Sequence, residues 1–417
     1  MSTSTYMPIV SRSGWGLKTY SAGAFVTLML ASVILPSGHL GPVNVKILLF
    51  FTTIILFLIS NPRIPRRALL LLLSIFVFVC LWTSLGVENA GGAHQPIIQA
   101  KDILTTIAIP FLAYIALKNF IVSTSAISKT IVYSAVGLGL WKIILTLLSI
   151  YSSTPFYGLV LGLEEYFKTQ IMTMHITGPL YRYQTVGDLI SPLAIYIMVR
   201  QRCTERLSRK FIINITYLLI IILSVFLSYS RYIWFMSVAV LLLAFITKRR
   251  YALFLSISLI LLAVAIPISI ELAFIGKRLA SHAVVVSDNI RIHELHYLTA
   301  YFLKSPIFGH GLGAYVPNHI RDSHSKFSYE LQWIAFLMQT GVIGVSFLLF
   351  AVATIAKPFA GIKIRREQLS LFLLYVLWIL SSLFNAYLTS SASAVIFAFF
   401  VSEGFRINRV VSGYNRI

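Results

Sequence analysis

DNIRIHELHYLTAYFLKSPIFGHGLGAYVPNHIRDSHSKFSYELQWIAFLMQTGVIG, residues 288–344, is a long polar stretch that runs into an apolar helix. Almost everything around it is hydrocarbon. With Lys277–Ser287 added, it carries His282, His293, His296, His310, His319 and His324, out of 9 His in the chain. Arg291, Arg321, Glu294 and Glu330 lie in the same stretch. Polar chemistry this concentrated, in a chain this apolar, marks a working segment rather than a connector.

Of 417 residues, 58% are hydrophobic and 11% charged, and the mean hydropathy is +0.85. Soluble domains carry about 25% charged residues. Apolar runs of about 20 residues recur, so the spans are expected to be helices rather than barrel strands. The expected fold is an all-α polytopic membrane protein, with residues 1–417 forming one integral membrane domain. The net charge of +21 would suggest nucleic acid on a soluble protein. In short loops it is a topology signal instead, and no nucleic-acid partner is expected. Cys80 falls in a span and Cys203 in a basic loop, so no disulfide framework is available. Met1–Tyr20 is polar, and the first apolar run leads directly into a multispan pattern, so no cleavable signal peptide is expected.

Apolar runs and flanking charges predict about twelve spans. They lie near 20–36, 44–60, 67–87, 100–117, 127–152, 187–200, 211–229, 231–247, 251–271, 329–356, 369–387 and 390–405. With the N-terminus inside, the inner loops collect Arg63, Arg66 and Arg67, then Lys118 and Lys129, then Arg200 to Lys210, then Lys248 to Arg250, then Lys357 to Arg366. Short outer loops such as ENAGGAHQP and NAYLTSS carry neither Lys nor Arg. Both termini are therefore expected in the cytoplasm. Two longer outer loops follow, at 153–186 and 272–328. The larger contains an amphipathic stretch, Ile292–Leu303, expected to lie as a helix on the outer face. Lys304-Ser305-Pro306 ends it, and Gly309 to Gly313 should make a tight turn.

Several outward residues have chemistry to offer. Arg231 follows Ser228-Tyr229-Ser230 at the outer start of a span, where a guanidinium is costly unless it snorkels or faces a cavity. Its fork suits a phosphate, and the polar neighbours favour that use. Arg291 is a candidate second clamp. Arg182, Lys277 and Arg278 are further cations placed against the topology trend, and a lipid diphosphate is the anion that would explain such a set. Glu330 opens a span and could serve as a general base or simply complement the helix dipole. His324 is the rival base. Asp188, Glu164 and Glu165 have weaker cases. His293 and His296, at i and i+3, fit a metal pair no better than an interfacial helix. There is no DxD motif, no P-loop and no Gly-rich dinucleotide turn, so neither a metal or other cofactor nor cytoplasmic nucleotide-sugar chemistry is expected.

At these residues the chain resembles the O-antigen polymerase and O-antigen ligase superfamily. The resemblance rests on the span count, the late outer loop, K-S-P-I-F-G-H-G-L-G at 304–313 and the helix ending Q-T-G-V-I-G at 339–344. It is best from about Ser228 to Gly344. It implies an all-helical fold and metal-independent glycosyl transfer on the periplasmic side of the bacterial inner membrane. The donors would be undecaprenyl-diphosphate-linked oligosaccharides. A chain-length regulator and a flippase are the implied partners. Arg231 is similar to the family's Arg in an S/T-x-S/T-R segment, and Arg291 to the Arg that opens the loop helix. Ligases of the family carry a His eleven residues before the first Gly of G-x-x-G. Here that Gly is Gly341, and the position is Glu330. The departure shifts the expectation from ligase to polymerase. A lipid-linked oligosaccharide flippase is the rival from another class. It would place charges along the midplane of several spans, where Lys142 is the main example.

Overall fold

The structure is a computed structural model that describes residues 12–35, 38–90, 92–151, 156–167, 172–177, 180–202, 209–247, 282–360, 366–383 and 385–414. In chain order its helices are α1 (Arg12–Ile34), α2 (Val45–Ile59), α3 (Arg66–Ala90), α4 (His94–Lys118), α5 (Thr124–Tyr151), α6 (Phe156–Phe167), α7 (Ile190–Arg202), α8 (Arg209–Leu227), α9 (Arg231–Thr247), α10 (His282–Phe302), α11 (Gln332–Ala356), α12 (Arg366–Leu380) and α13 (Ser391–Tyr414). Two antiparallel hairpins punctuate them: β1 (His39–Leu40) with β2 (Val43–Asn44), and β3 (Met172–Thr177) with β4 (Leu180–Gln184). Helices prevail because hydrocarbon offers the backbone no hydrogen-bond partner outside its own turn.

Eleven of the twelve sequence stretches coincide with helices. The twelfth, 251–271, lies outside the described residues, as do Lys277 and Arg278. Among the described residues, 6 helices are long and apolar enough to cross a membrane, and three apolar helices are shorter. One buried core joins α1, α4, α5, α7, α9 and α13, with Phe25, Ile109, Ile127, Tyr196, Ile233 and Phe400 at its centre. Arg200 of α7 and Arg406 of α13 share the carboxylates of Glu367 and Glu403 at 2.7–3.2 Å, tying three helix ends together.

The segments expected to lie outside differ from their reading in sequence. The 153–186 loop holds α6 and the β3–β4 hairpin. The amphipathic helix reaches back to His282, so Arg291 sits within α10 rather than before it. That helix also does not simply lie on the outer face. Leu298, fully buried, packs with Ala314, Val316, Tyr329, Ala335 and Met338 against the start of α11, while Leu295 stays exposed.

Gly309–Gly313 turns as expected and is also a buried insertion. Gly309, Gly311 and Gly313 have φ of 72°, 90° and 77°, values that favour glycine. Their backbones lie so close to Gln339, Gly86 and Pro96 that no Cβ fits. The segment hydrogen-bonds into a break in α11, where Gly341 adopts φ 63° and ψ −174°. His310 N–H donates to Met338 O (3.1 Å), Gly311 N–H to Gln339 O (2.7 Å) and Val342 N–H to Pro306 O (3.0 Å). Trp82 of α3 donates its indole N–H to Phe308 O and Thr340 O. Gln99 of α4 donates to the buried Gln339 side chain at 2.7 Å.

Lys142 and Asp188 form an ion pair at 2.7 Å, each side chain 1% exposed. The pair locks α5 to the turn before α7, whose Thr185 N–H donates to Asp188 at 2.9 Å. Removing one partner of such a pair typically costs about 3–5 kcal/mol, whereas an apolar replacement of both is often neutral. Asp188→Asn is therefore expected to lower the unfolding temperature in detergent, and Lys142→Met with Asp188→Leu to recover most of it. A single replacement as stable as the double would remove the pair from this account. Gly311→Ala, whose Cβ would meet Gly86 N at 2.0 Å, is expected to abolish a monodisperse peak in size exclusion. Gly23→Ala, with nothing within 4 Å, should leave the peak intact.

Candidate active site

Arg291 and Glu294 stand three residues apart on α10 and so share a face. That face meets the loop leading into α11. Arg291 Nε donates to Glu330 Oε2 at 2.6 Å. From the loop, Arg321 reaches both carboxylates, with Nη2 to Glu330 Oε1 at 2.8 Å and Nη1 to Glu294 Oε2 at 3.0 Å. Glu294 is fully buried, and its other oxygen accepts from Leu331 N–H at 2.7 Å. Arg291, Arg321 and Glu330 are each about a quarter exposed. The cluster thus holds two cations and two anions, one anion deep and one reachable from solvent. Each Glu330 oxygen thus already accepts from a guanidinium.

Beside Glu330, Tyr329 is buried, and its hydroxyl accepts from Val316 N–H at 2.8 Å. Burial pushes that phenol up to about 12, so it stays neutral. The His319 ring stacks between Tyr297 and Tyr329, at centroid distances of 5.4 and 6.2 Å. The His324 backbone is held by Gln95 and Asp322, while its side chain is exposed and makes no hydrogen bond to the arginine–glutamate cluster. His293 and His296 are exposed on α10. Residues flanking Glu330, namely Ser328, Tyr329 and Gln332, line a cavity of about 1240 Å³. Lys46, Asp102 and Ser391 line it too, along with apolar faces of α2, α3 and α4.

Arg182 lies on β4 and donates to Gln184, which donates to the Tyr387 hydroxyl at 3.0 Å. Burial pushes Tyr387 up to about 12, with the Arg182 charge pulling it down and those of Asp188 and Glu330 pushing it up. Arg231 opens α9 with an exposed side chain, and the Tyr232 ring beside it lies 5.7 Å from that of Tyr387. The polar run before Arg231 serves the turn and not an open cleft. Ser228 Oγ donates to Val225 O, Trp234 Nε1 donates to the same carbonyl, and Tyr229 takes φ 43°. Arg278 lies outside the described residues. Asp188, weakly favoured from sequence as an outer carboxylate, is consumed by Lys142.

The structure thus joins Arg291 to Glu330 directly and connects Arg182 through Gln184 to Tyr387. It leaves His324 apart. Sequence reasoning did not assign Arg321, Gln184 or Tyr387 to the site. For Arg321 a signal existed, since an Arg nine residues before Glu330 in a short loop can reach back to it. For Tyr387 there was none, because α12 and its long separation in sequence stand between.

Comparison with curated proteins finds no match. Residues 216–349 match the family model described as O-antigen ligase, a span that takes in Arg231, Arg291, Arg321 and Glu330. The match gives a flippase no support. Over this segment the chain is similar to the O-antigen polymerase and ligase superfamily, whose members transfer glycans within a membrane.

Proposed function

We propose that the protein is a polymerase of a surface polysaccharide, joining undecaprenyl-diphosphate-linked repeat units on the periplasmic face of a bacterial inner membrane. The frame is twelve spans with both termini in the cytoplasm, as the distribution of Lys and Arg requires. The observation that carries the reading is the 2.6 Å contact of Arg291 with Glu330 inside the family segment. It puts an anion-binding guanidinium and a proton acceptor within one hydrogen bond of each other.

In the reaction a hydroxyl of the incoming unit attacks the anomeric carbon of the growing glycan. The new C–O bond forms as the bond to the diphosphate oxygen breaks, and the electron pair leaves with the lipid diphosphate. Glu330 takes the hydroxyl proton, with His324 as the rival base. Direct attack inverts the anomeric centre. Arg291 and Arg231, with Arg182 and Arg278 as outer contributors, stabilise the charge that grows on the leaving group. Preorganised donors of this kind are worth about 2.7–4 kcal/mol each, and a positioned base adds typically about 10²–10⁴ in rate.

A second reading is the ligase, which would move a lipid-linked glycan to lipid A–core. The description of the matching family favours it. Glu330 at the position where the resemblance expects the ligase His favours the polymerase. A membrane extract supplied only with lipid-linked repeat units decides between them. The polymerase produces a ladder of chain lengths, and a product that forms only when core acceptor is added would establish the ligase. Arg291→Ala and Arg231→Ala are expected to abolish long chains while the protein still inserts, and wild-type chain length in either would remove that residue from the clamp. Glu330→Gln is expected to stop turnover. An active Glu330→Gln beside an inactive His324→Ala would transfer the base to His324.

A further inference from the structure

We propose that Arg321 is a further diphosphate-holding cation and that Glu330 is the exchangeable counter-ion of the site. The entering diphosphate displaces the Glu330 carboxylate from Arg291 and Arg321, and the carboxylate thereby becomes free to accept a proton. The proposal rests on the reading of this cluster as the donor diphosphate site.

Three observations carry it. First, Arg321 divides its two Nη atoms between two carboxylates of different character. Glu294 is fully buried and also accepts the Leu331 N–H, so it is part of the frame. Glu330 is a quarter exposed, and both its oxygens are taken by guanidinium groups, Oε2 by Arg291 and Oε1 by Arg321. Second, the two guanidiniums converge on one small anion. Guanidinium forks pair with phosphate oxygens in the same bidentate way as with carboxylate. A diphosphate brings more charge and more acceptor oxygens to that place than a single carboxylate does. Third, each Glu330 oxygen already accepts from a guanidinium, so a substrate hydroxyl would have to share an occupied oxygen. Releasing it on donor entry orders the events: the leaving group is gripped before the base is freed. When the anomeric bond breaks, the proton from the acceptor hydroxyl resides on Glu330. It passes to solvent as the spent lipid diphosphate departs, and the carboxylate returns to the arginines.

A plain structural strut would behave differently, which makes the idea testable on the full chain in detergent with farnesyl diphosphate as the binding probe. Glu330→Gln keeps the side-chain shape and removes the competing charge, so it is expected to bind the probe several-fold more tightly than wild type while losing transfer. Arg321→Ala is expected to weaken binding about tenfold. Arg321→Lys, which leaves a cation beside buried Glu294 but no fork, should unfold at the wild-type temperature and still bind weakly. Weaker binding by Glu330→Gln, or wild-type affinity in both Arg321 variants alongside loss of binding in Arg291→Ala, overturns the exchange and leaves the donor-site reading standing. Wild-type protein that does not bind the probe, or binding that survives Arg291→Ala, overturns the donor-site reading and this proposal with it.

Discussion

The backbone hydrogen bonds between residues 306–311 and the opened turn of α11 at Gly341 hold the outer segment down on the helical bundle. A helix broken near hydrocarbon exposes amides and carbonyls that must find partners. Here the partners come from the Gly309–Gly313 segment, and α3 and α4 complete the set through Trp82 and Gln99. The cost of the break is thereby converted into a joint between three spans and the loop. Arg321 and Glu330 lie in the segment between the two halves of that joint, and α10 precedes it. The joint, together with the packing of Leu298 on Tyr329, Ala335 and Met338, brings the α10 face carrying Arg291 and Glu294 to the start of α11.

Charge is used at three depths, each by a different logic. Near the end of α7, Arg200 and Arg406 share two carboxylates, Glu403 nearly buried and Glu367 open to solvent. In the bundle, Lys142 and Asp188 are sealed from solvent, and each is tolerable only because the other is present. Between α10 and the start of α11 the cluster is mixed. Glu294 is sealed like the bundle pair, while Glu330 is open like Glu367. Arg321 spans the difference, so the buried carboxylate orients a cation whose other half can change partners.

The bundle was legible because each span repeats one simple requirement, a long apolar run bounded by charge. That requirement is local, and eleven predicted stretches meet helices. What was not legible depends on encounters between distant segments. The loop helix was predicted as Ile292–Leu303 because the amphipathic pattern begins there, but α10 continues through apolar Ala283–Val286, which has no contrasting face to announce it. The glycine run was read correctly as glycine-requiring, yet the reason is close approach to Gly86 and Pro96 as well as turning. Arg291 and Glu330 were both singled out from their types and positions. Their direct contact was not foreseen, because it needs the loop to fold back through 39 residues.

That contact bears on which branch of the superfamily chemistry the site can run. The resemblance expects a His at position 330 in a ligase. An imidazole placed between Arg291 and Arg321 would sit beside two guanidiniums at under 3 Å and would be opposed in its protonated form by both. A carboxylate is attracted there. Arg321, Glu294 and Glu330 therefore work as a set: the buried Glu294 fixes Arg321, and Arg321 together with Arg291 selects an anionic residue at 330. Glu330 is then one part of an electrostatic arrangement that a carboxylate completes and a protonated His would oppose. This is the physical ground on which the polymerase reading stands.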